Sequence, residues 1–247
     1  MGGLRLALSL FTVAPVRASR LDRPAVRHAM LLAPLAGALL GLVLGLAGRG
    51  LVLAGAAPLL GAAVLVALSL LLTRGLHVDG LADTADGLGS YAASDKALEI
   101  MKKSDIGPFG VAAIAAVLLI DAAAAASLLA RPFWIGVAAV AAAFAAGRLG
   151  ATVACRRGLP AARPEGMGAL VASTVPLAWL AVVTLVTAAA TSLAFPWRGP
   201  LAVLVAVGVS WALTTHARRR LGGLTGDVIG AAVELSTAGA LIVLAVG

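Results

Sequence analysis

The sequence predicts an all-α integral membrane protein with about seven transmembrane helices, and three observations carry that prediction. The 247-residue chain is 61% hydrophobic and only 12% charged, with a mean hydropathy of +1.04, far outside the composition of soluble domains. Its apolar residues form seven stretches near the length of about 20 that a helix needs to cross a bilayer: 28–48, 51–72, 107–130, 132–154, 170–195, 199–217 and 228–246. Finally, Lys and Arg are partitioned between alternate connections. Sixteen lie before the first stretch, between the second and third, around the end of the fourth and before the last, against Arg49, Arg131 and Arg198 elsewhere. Positive charge is retained on the cytoplasmic side, so the N-terminus is expected inside and the C-terminus outside.

The length suits one polytopic domain spanning 1–247. Residues 4–15 place Arg5 before an apolar run, but the Val-Arg-Ala at 16–18 is a poor cleavage site. An uncleaved helix lying in the membrane interface is expected there. In the first span Gly37, Gly41 and Gly45 recur every four residues, a small-residue stripe that lets a neighbouring helix approach closely. Arg49-Gly50, Arg131-Pro132 and Trp197-Arg198-Gly199-Pro200 mark later joints. Cys155 is the only cysteine, which excludes an intramolecular disulfide and a thiolate metal cluster. The net charge of +8 is scattered among apolar spans without interleaved aromatics, so nucleic acid is not an expected partner. A surface facing anionic lipid headgroups and phosphorylated substrates is.

Chemistry is expected in the polar connection 73–106, which holds six of the eleven carboxylates. His77, Asp79, Asp83 and Asp86 fall where the second span leaves the membrane. On a helix the three aspartates lie within about 60° of one another. Carboxylates that close repel unless a divalent cation neutralises them. An all-oxygen set with small neighbours, Gly80 and Gly87, fits Mg²⁺ bridging to a diphosphate. The alternative is a solvated surface helix with incidental aspartates, but one that emerges from a span and is weakened by glycines. Further on, Ser94-Asp95-Lys96 begins what reads as a capped amphipathic helix ending at Lys102 and Lys103, which suit phosphate oxygens or lipid headgroups.

A second acidic segment closes the chain. Gly222, Gly223, Thr225 and Gly226 form a loop before the last span, and Asp227 sits at that helix's start as a metal ligand or an N-cap. Glu234 follows on the same face inside the apolar stretch. Arg148, inside the fourth span, and Arg163, in the loop after it, are candidate phosphate ligands. Arg156 and Arg157 read as positive-inside anchors. Asp121, deep in the third span, is expected protonated or paired across helices.

These motifs resemble one family, adenosylcobinamide-GDP ribazoletransferase, also called cobalamin (5'-phosphate) synthase. The resemblance rests on HVDGLADTADGLGS at 77–90, ALEIMKKSDIGPFGV at 97–111, LPAARPEGMG at 159–168 and RRLGGLTGDVIGAAVELS at 219–236, with ALSLFTVAPV at 7–16 similar to the family's opening. It implies Mg²⁺ as cofactor and transfer joining adenosylcobinamide-GDP to α-ribazole or its 5'-phosphate, with release of GMP, at the cytoplasmic face of the inner membrane. Asp79, Asp83, Asp86 and Asp227 would then be the metal-binding and catalytic groups. His77, Lys102, Arg148, Arg163, Thr225 and Glu234 would contact substrate, in a chain that could form homo-oligomers. At 102–106 the family's usual Lys-Asp-Ser-Arg-Ile is replaced by Lys102, Lys103, Ser104, Asp105 and Ile106, so Lys103 and Asp105 receive no role. Prenyltransferases and CDP-alcohol phosphotransferases also place aspartate-rich motifs at the membrane face, but without the GGLTGD segment. A transporter using Asp121, Arg148 and Glu234 as relay groups is a third reading, disfavoured because the polar motifs cluster at one face and no internal repeat is evident.

Overall fold

Proline, glycine and a few side-chain caps decide where the helices begin and end. A computed structural model describes residues 2–16 and 22–246, so Arg17 and Arg20 of the positive-inside pattern lie outside the described residues. The helices are α1 (Gly2–Phe11), α2 (Arg23–Leu31), α3 (Ala33–Leu53), α4 (Pro58–Leu72), α5 (Leu76–Gly89), α6 (Ser94–Ile100), α7 (Pro108–Leu129), α8 (Phe133–Ala154), α9 (Gly166–Val171), α10 (Leu177–Ser192), α11 (Arg198–Leu221) and α12 (Gly226–Ala245). Asp22 caps α2 by accepting from the Ala25 N–H at 2.8 Å. Pro34, Pro58 and Pro108 occupy the first turns of α3, α4 and α7, where proline's missing N–H leaves no bond unmade.

Among the described residues five helices, α3, α7, α8, α11 and α12, are long and apolar enough to cross a membrane, which makes this a multi-pass membrane protein. A sixth is reached only if α4 and α5 count as one span, yet they meet at 88°. We read α5 as lying outside the spans. The expected span 51–72 is therefore shortened at its start, because α3 runs on to Leu53 and Gly55, at φ +98°, and Pro58 restart the chain. The expected span 170–195 is divided: α9 ends at Val171, Pro176 follows, and α10 has only 16 residues. The first span begins at Ala33 and not at 28, because α2 is a separate helix.

α8 is the most enclosed span and packs against α3, α11 and α12. The small-residue stripe does what its spacing predicts. A Cβ on Gly41 would lie 2.8 Å from the Ala141 Cα, and one on Gly45 would lie 3.2 Å from the Val137 Cα, while Gly37 meets the Phe144 carbonyl. Outward-facing Leu35, Leu39, Val43 and Leu46 of α3 and Leu185 and Val186 of α10 are exposed, as a lipid-facing surface requires.

The three minority basic residues also have local structural roles. Arg49 donates to the Leu129 carbonyl at 2.5 Å and Arg131 to the Ala245 carbonyl at 2.9 Å, satisfying the C-terminal ends of α7 and α12. Arg198 lies over the Trp197 ring.

Candidate functional site

The site is assembled where α5 crosses the start of α12. Glycine makes the approach possible: a Cβ on Gly80 would stand 2.8 Å from the Asp227 carbonyl oxygen, and one on Gly230 would stand 3.0 Å from the His77 carbonyl oxygen. Asp79 and Asp83 of α5 thereby share one electrostatic environment with Asp227. Burial, reinforced by the charges of Asp227, Asp79 and Asp86, raises the Asp83 carboxyl to about 6, with Arg163 opposing the shift. Arg163 is held over this acidic group by donating to the Leu98 carbonyl of α6 at 2.5 Å.

Beside Asp227 lies a polar cradle of about 170 Å³ lined by Arg163, Glu165, Gly168, Thr225, Gly226 and Asp227, among others. Two loops form it and are stitched together through main-chain bonds. The Leu224 N–H donates to the Pro160 carbonyl at 2.8 Å, and the Ala162 N–H donates to the Leu224 carbonyl at 3.0 Å. Gly222, at φ +82°, ends α11 in the left-handed conformation that glycine adopts without strain. The N-cap of α12 is Thr225, whose hydroxyl accepts from the Val228 N–H at 3.1 Å. Asp227 is therefore not the cap; its carboxylate is hydrogen-bonded with Thr225 and lies within electrostatic reach of Arg163. Sequence reasoning alone does not single out Glu165, Met167 and Gly168 of this cradle. Their motif, LPAARPEGMG, is the available signal.

Asp86 is engaged elsewhere. Both its oxygens accept main-chain N–H groups at the start of α7, from Gly107 at 2.7 Å and Gly110 at 2.9 Å. A Cβ on either glycine would run into that carboxylate. Asp86 thus anchors α7 to α5, although its charge still reaches Asp83. Lys102 is exposed beyond the end of α6, away from the hydrogen bonds that organise the aspartates. α6 begins without a side-chain cap.

His77 is buried, with its ring stacked on Phe11 at 5.7 Å between centroids. Burial, and then the nearby Arg148 charge, lower its pKa to about 3, so the imidazole is neutral. Arg148 and Glu234 do not line the cradle. Arg148 is 2% exposed, with its guanidinium 4.8 Å from the Phe144 ring centroid and 3.5 Å from the Thr237 hydroxyl. Asp121 and Glu234 lie within electrostatic reach of it, and Asp121 Oδ1 is buried with no hydrogen-bond partner among the described residues. Arg156, read from sequence as an anchor, is instead a tie within the bundle: it donates to Thr214 at 2.6 Å and Thr215 at 3.1 Å and stacks 4.0 Å above Trp211.

Among the described residues, no three His, Cys, Asp or Glu side chains converge as a closed metal site would require. Mg²⁺ commonly takes one or two carboxylates, several waters and substrate phosphates. One or two carboxylates drawn from the mutually repelling Asp79, Asp83 and Asp227 fit that mode.

The comparisons with known proteins show the family. A model of the cobalamin-5-phosphate synthase family matches residues 3–245. The chain belongs to this family. It is 41% identical to an adenosylcobinamide-GDP ribazoletransferase of Frankia casuarinae over 98% of this chain and 93% of the relative. A Nocardioides protein of the same name is 40% identical over 96% of both chains. One from Corynebacterium efficiens is 37% identical over 96% of this chain and 88% of its own. No solved structure matches. Membership in the cobalamin-5-phosphate synthase family makes the chain a transferase of cobalamin biosynthesis and sets aside the prenyltransferase, CDP-alcohol phosphotransferase and transporter readings.

Proposed function

We propose that Asp79, Asp83 and Asp227, with Arg163 beside them, carry the family's reaction in this chain: transfer joining adenosylcobinamide-GDP to α-ribazole or its 5'-phosphate. A hydroxyl of the acceptor attacks the cobinamide-side phosphorus of the diphosphate. A new P–O bond forms, the P–O bond to GMP breaks, and the hydroxyl proton is lost, giving adenosylcobalamin or its 5'-phosphate. The observation that carries this reading is the contact of Gly80 with Asp227, which sets the carboxylate-bearing helix α5 against the start of α12, where Asp227 and Arg163 line the cradle.

Mg²⁺ held by one or two of the carboxylates of Asp79, Asp83 and Asp227, together with waters and substrate phosphates, would neutralise charge on the diphosphate. Arg163, which lines the cradle, would contact phosphate oxygens, for which a guanidinium is well shaped. The N–H groups at the start of α12, oriented by the Thr225 cap, add positive potential on the same side. Phosphoryl transfer depends on positioning and electrostatic stabilisation more than on a covalent nucleophile, and these groups supply both.

The sixteen-to-three partition of basic residues supports a cytoplasmic location for this face, in the inner membrane, with the N-terminus inside. The decisive experiment supplies purified protein in lipid with adenosylcobinamide-GDP and α-ribazole and follows GMP with and without Mg²⁺. Release that needs all three components is expected. GMP formation indifferent to Mg²⁺ would remove the ion, and none at all would remove the reaction.

A further inference from the structure

We propose that an apolar cleft adjoining the cradle seats the base of the acceptor nucleoside, with His77 supplying its one directed hydrogen bond. This rests on the transfer reaction proposed above. The cleft, of about 70 Å³, is walled by residues that include Phe11 of α1, Met30 of α2, His77 of α5, Met167 of α9 and Gly226 and Gly230 of α12. Met167 and Gly226 also line the cradle of Arg163 and Asp227, so the two spaces are neighbours. A group held in the cleft brings its attached sugar to the phosphates.

His77 is 4% exposed, and its Nδ1 is buried without a hydrogen-bond partner among the described residues. An unsatisfied buried nitrogen is costly to keep. At the edge of a substrate site, it is explained by a partner that arrives with the substrate. The rest of the wall is apolar, with the polarisable sulfurs of Met30 and Met167 suited to a planar ring, while Phe11, stacked on His77, backs the imidazole.

The reaction brings two bases to the site. Guanine carries polar groups along its edges, and an apolar wall with one partner would leave most of them unpaired. A benzimidazole-type base has a single free ring nitrogen, one acceptor for one imidazole N–H. The cleft is smaller than the roughly 150 Å³ of an apolar cavity that encloses benzene, so it takes an edge of the base and leaves the sugar to the cradle.

The test uses the full chain in lipid vesicles with Mg²⁺ and saturating adenosylcobinamide-GDP. GMP release is measured against three acceptors: α-ribazole, the α-riboside of unsubstituted benzimidazole and the α-riboside of adenine. His77→Phe keeps a ring against Phe11 and removes the nitrogen, while His77→Asn restores a donor near the Nδ1 position. We expect His77→Phe to raise the acceptor KM by about tenfold or more, with the donor KM within about twofold of the parent, and His77→Asn to recover most of the loss. Phe11→Ala, on the peripheral helix α1, should weaken the preference among the three acceptors by about fivefold and keeps the test open if the His77 variants do not insert. A raised donor KM with acceptor preference intact would place the guanine in the cleft and overturn the proposal, as would constants that do not change for either substrate. A parent protein that releases no GMP with any acceptor would count against the reaction, not against the cleft.

Discussion

Gly80 of α5 lies directly against the backbone of Asp227 in α12, with 2.8 Å between a Cβ built on the glycine and the Asp227 carbonyl oxygen. Backbone cannot swing aside as a flexible side chain can. Gly80→Ala should therefore wedge the helices apart, at a cost of about 1–3 kcal/mol, and lower GMP release by at least about tenfold through displacement of the carboxylates. Gly50→Ala, in α3 with nothing within 4 Å of its Cβ, is the matched control. It should be neutral or stabilising by up to about 1 kcal/mol. Thermal unfolding in detergent and the GMP assay read the two effects separately.

The aspartates should divide into two classes. Asp79→Asn, Asp83→Asn and Asp227→Asn are expected to insert normally and lose at least about 100-fold in Mg²⁺-dependent rate, roughly 3 kcal/mol of barrier. Asp86→Asn can accept from only one of the Gly107 and Gly110 N–H groups with its single oxygen, so it should lose stability by about 1–3 kcal/mol first and activity second. Exposed Asp95→Asn should be silent. Equal stability of the Asp86 and Asp83 variants would contradict this division.

Acid should raise the Mg²⁺ concentration that the enzyme needs. The Asp83 carboxyl stands at about 6 in the folded protein against an ordinary value of 3.8, so between those values the folded state holds more protons than the unfolded one. Its contribution to stability is present at low pH and is lost as pH rises through about 6. Mg²⁺ competes with that proton. The Mg²⁺ concentration for half-maximal rate should rise by up to about tenfold per unit as pH falls below about 6, and Asp83→Asn should flatten the profile. A requirement that stays constant across about two units of pH centred on that value would exclude Asp83 from the metal site.

Reporter fusions at residue 90, at residue 162 and at the C-terminus test the membrane topology. Residues 90 and 162 are separated by α7 and α8 and should share the cytoplasmic side. The C-terminus depends on α10, whose 16 residues span about 24 Å against a hydrocarbon core of about 30 Å. If α10 crosses with local thinning of the bilayer, the C-terminus is outside, as the basic-residue pattern predicts. A cytoplasmic C-terminus would mean that α10 stops within the membrane.

Much of the fold is readable from local pattern. The stripe Gly37, Gly41, Gly45 finds its partner helix, and Asp79 and Asp83 fall on one face of a real helix, because both depend only on helical periodicity. The diversion of Asp86 is not readable, since its partners Gly107 and Gly110 lie 21 and 24 residues away and the acidic spacing carries no trace of them. Arg156 is hidden for a similar reason: an arginine at a membrane edge looks the same in sequence whether it faces headgroups or covers Trp211. Span ends are blurred wherever apolar residues continue through a break, as from Met30 to Ala33 or around Pro176. Hydropathy registers burial in lipid but not a change of direction.

The paired segments around Leu224 bear on how this protein tolerates change. Because Leu224 exchanges main-chain bonds with Pro160 and Ala162, the chain segments following α8 and α11 open together or not at all. Their amides should exchange with solvent as one cooperative unit. An insertion in either segment, although added length in a connection is ordinarily harmless, would shift the register of the other.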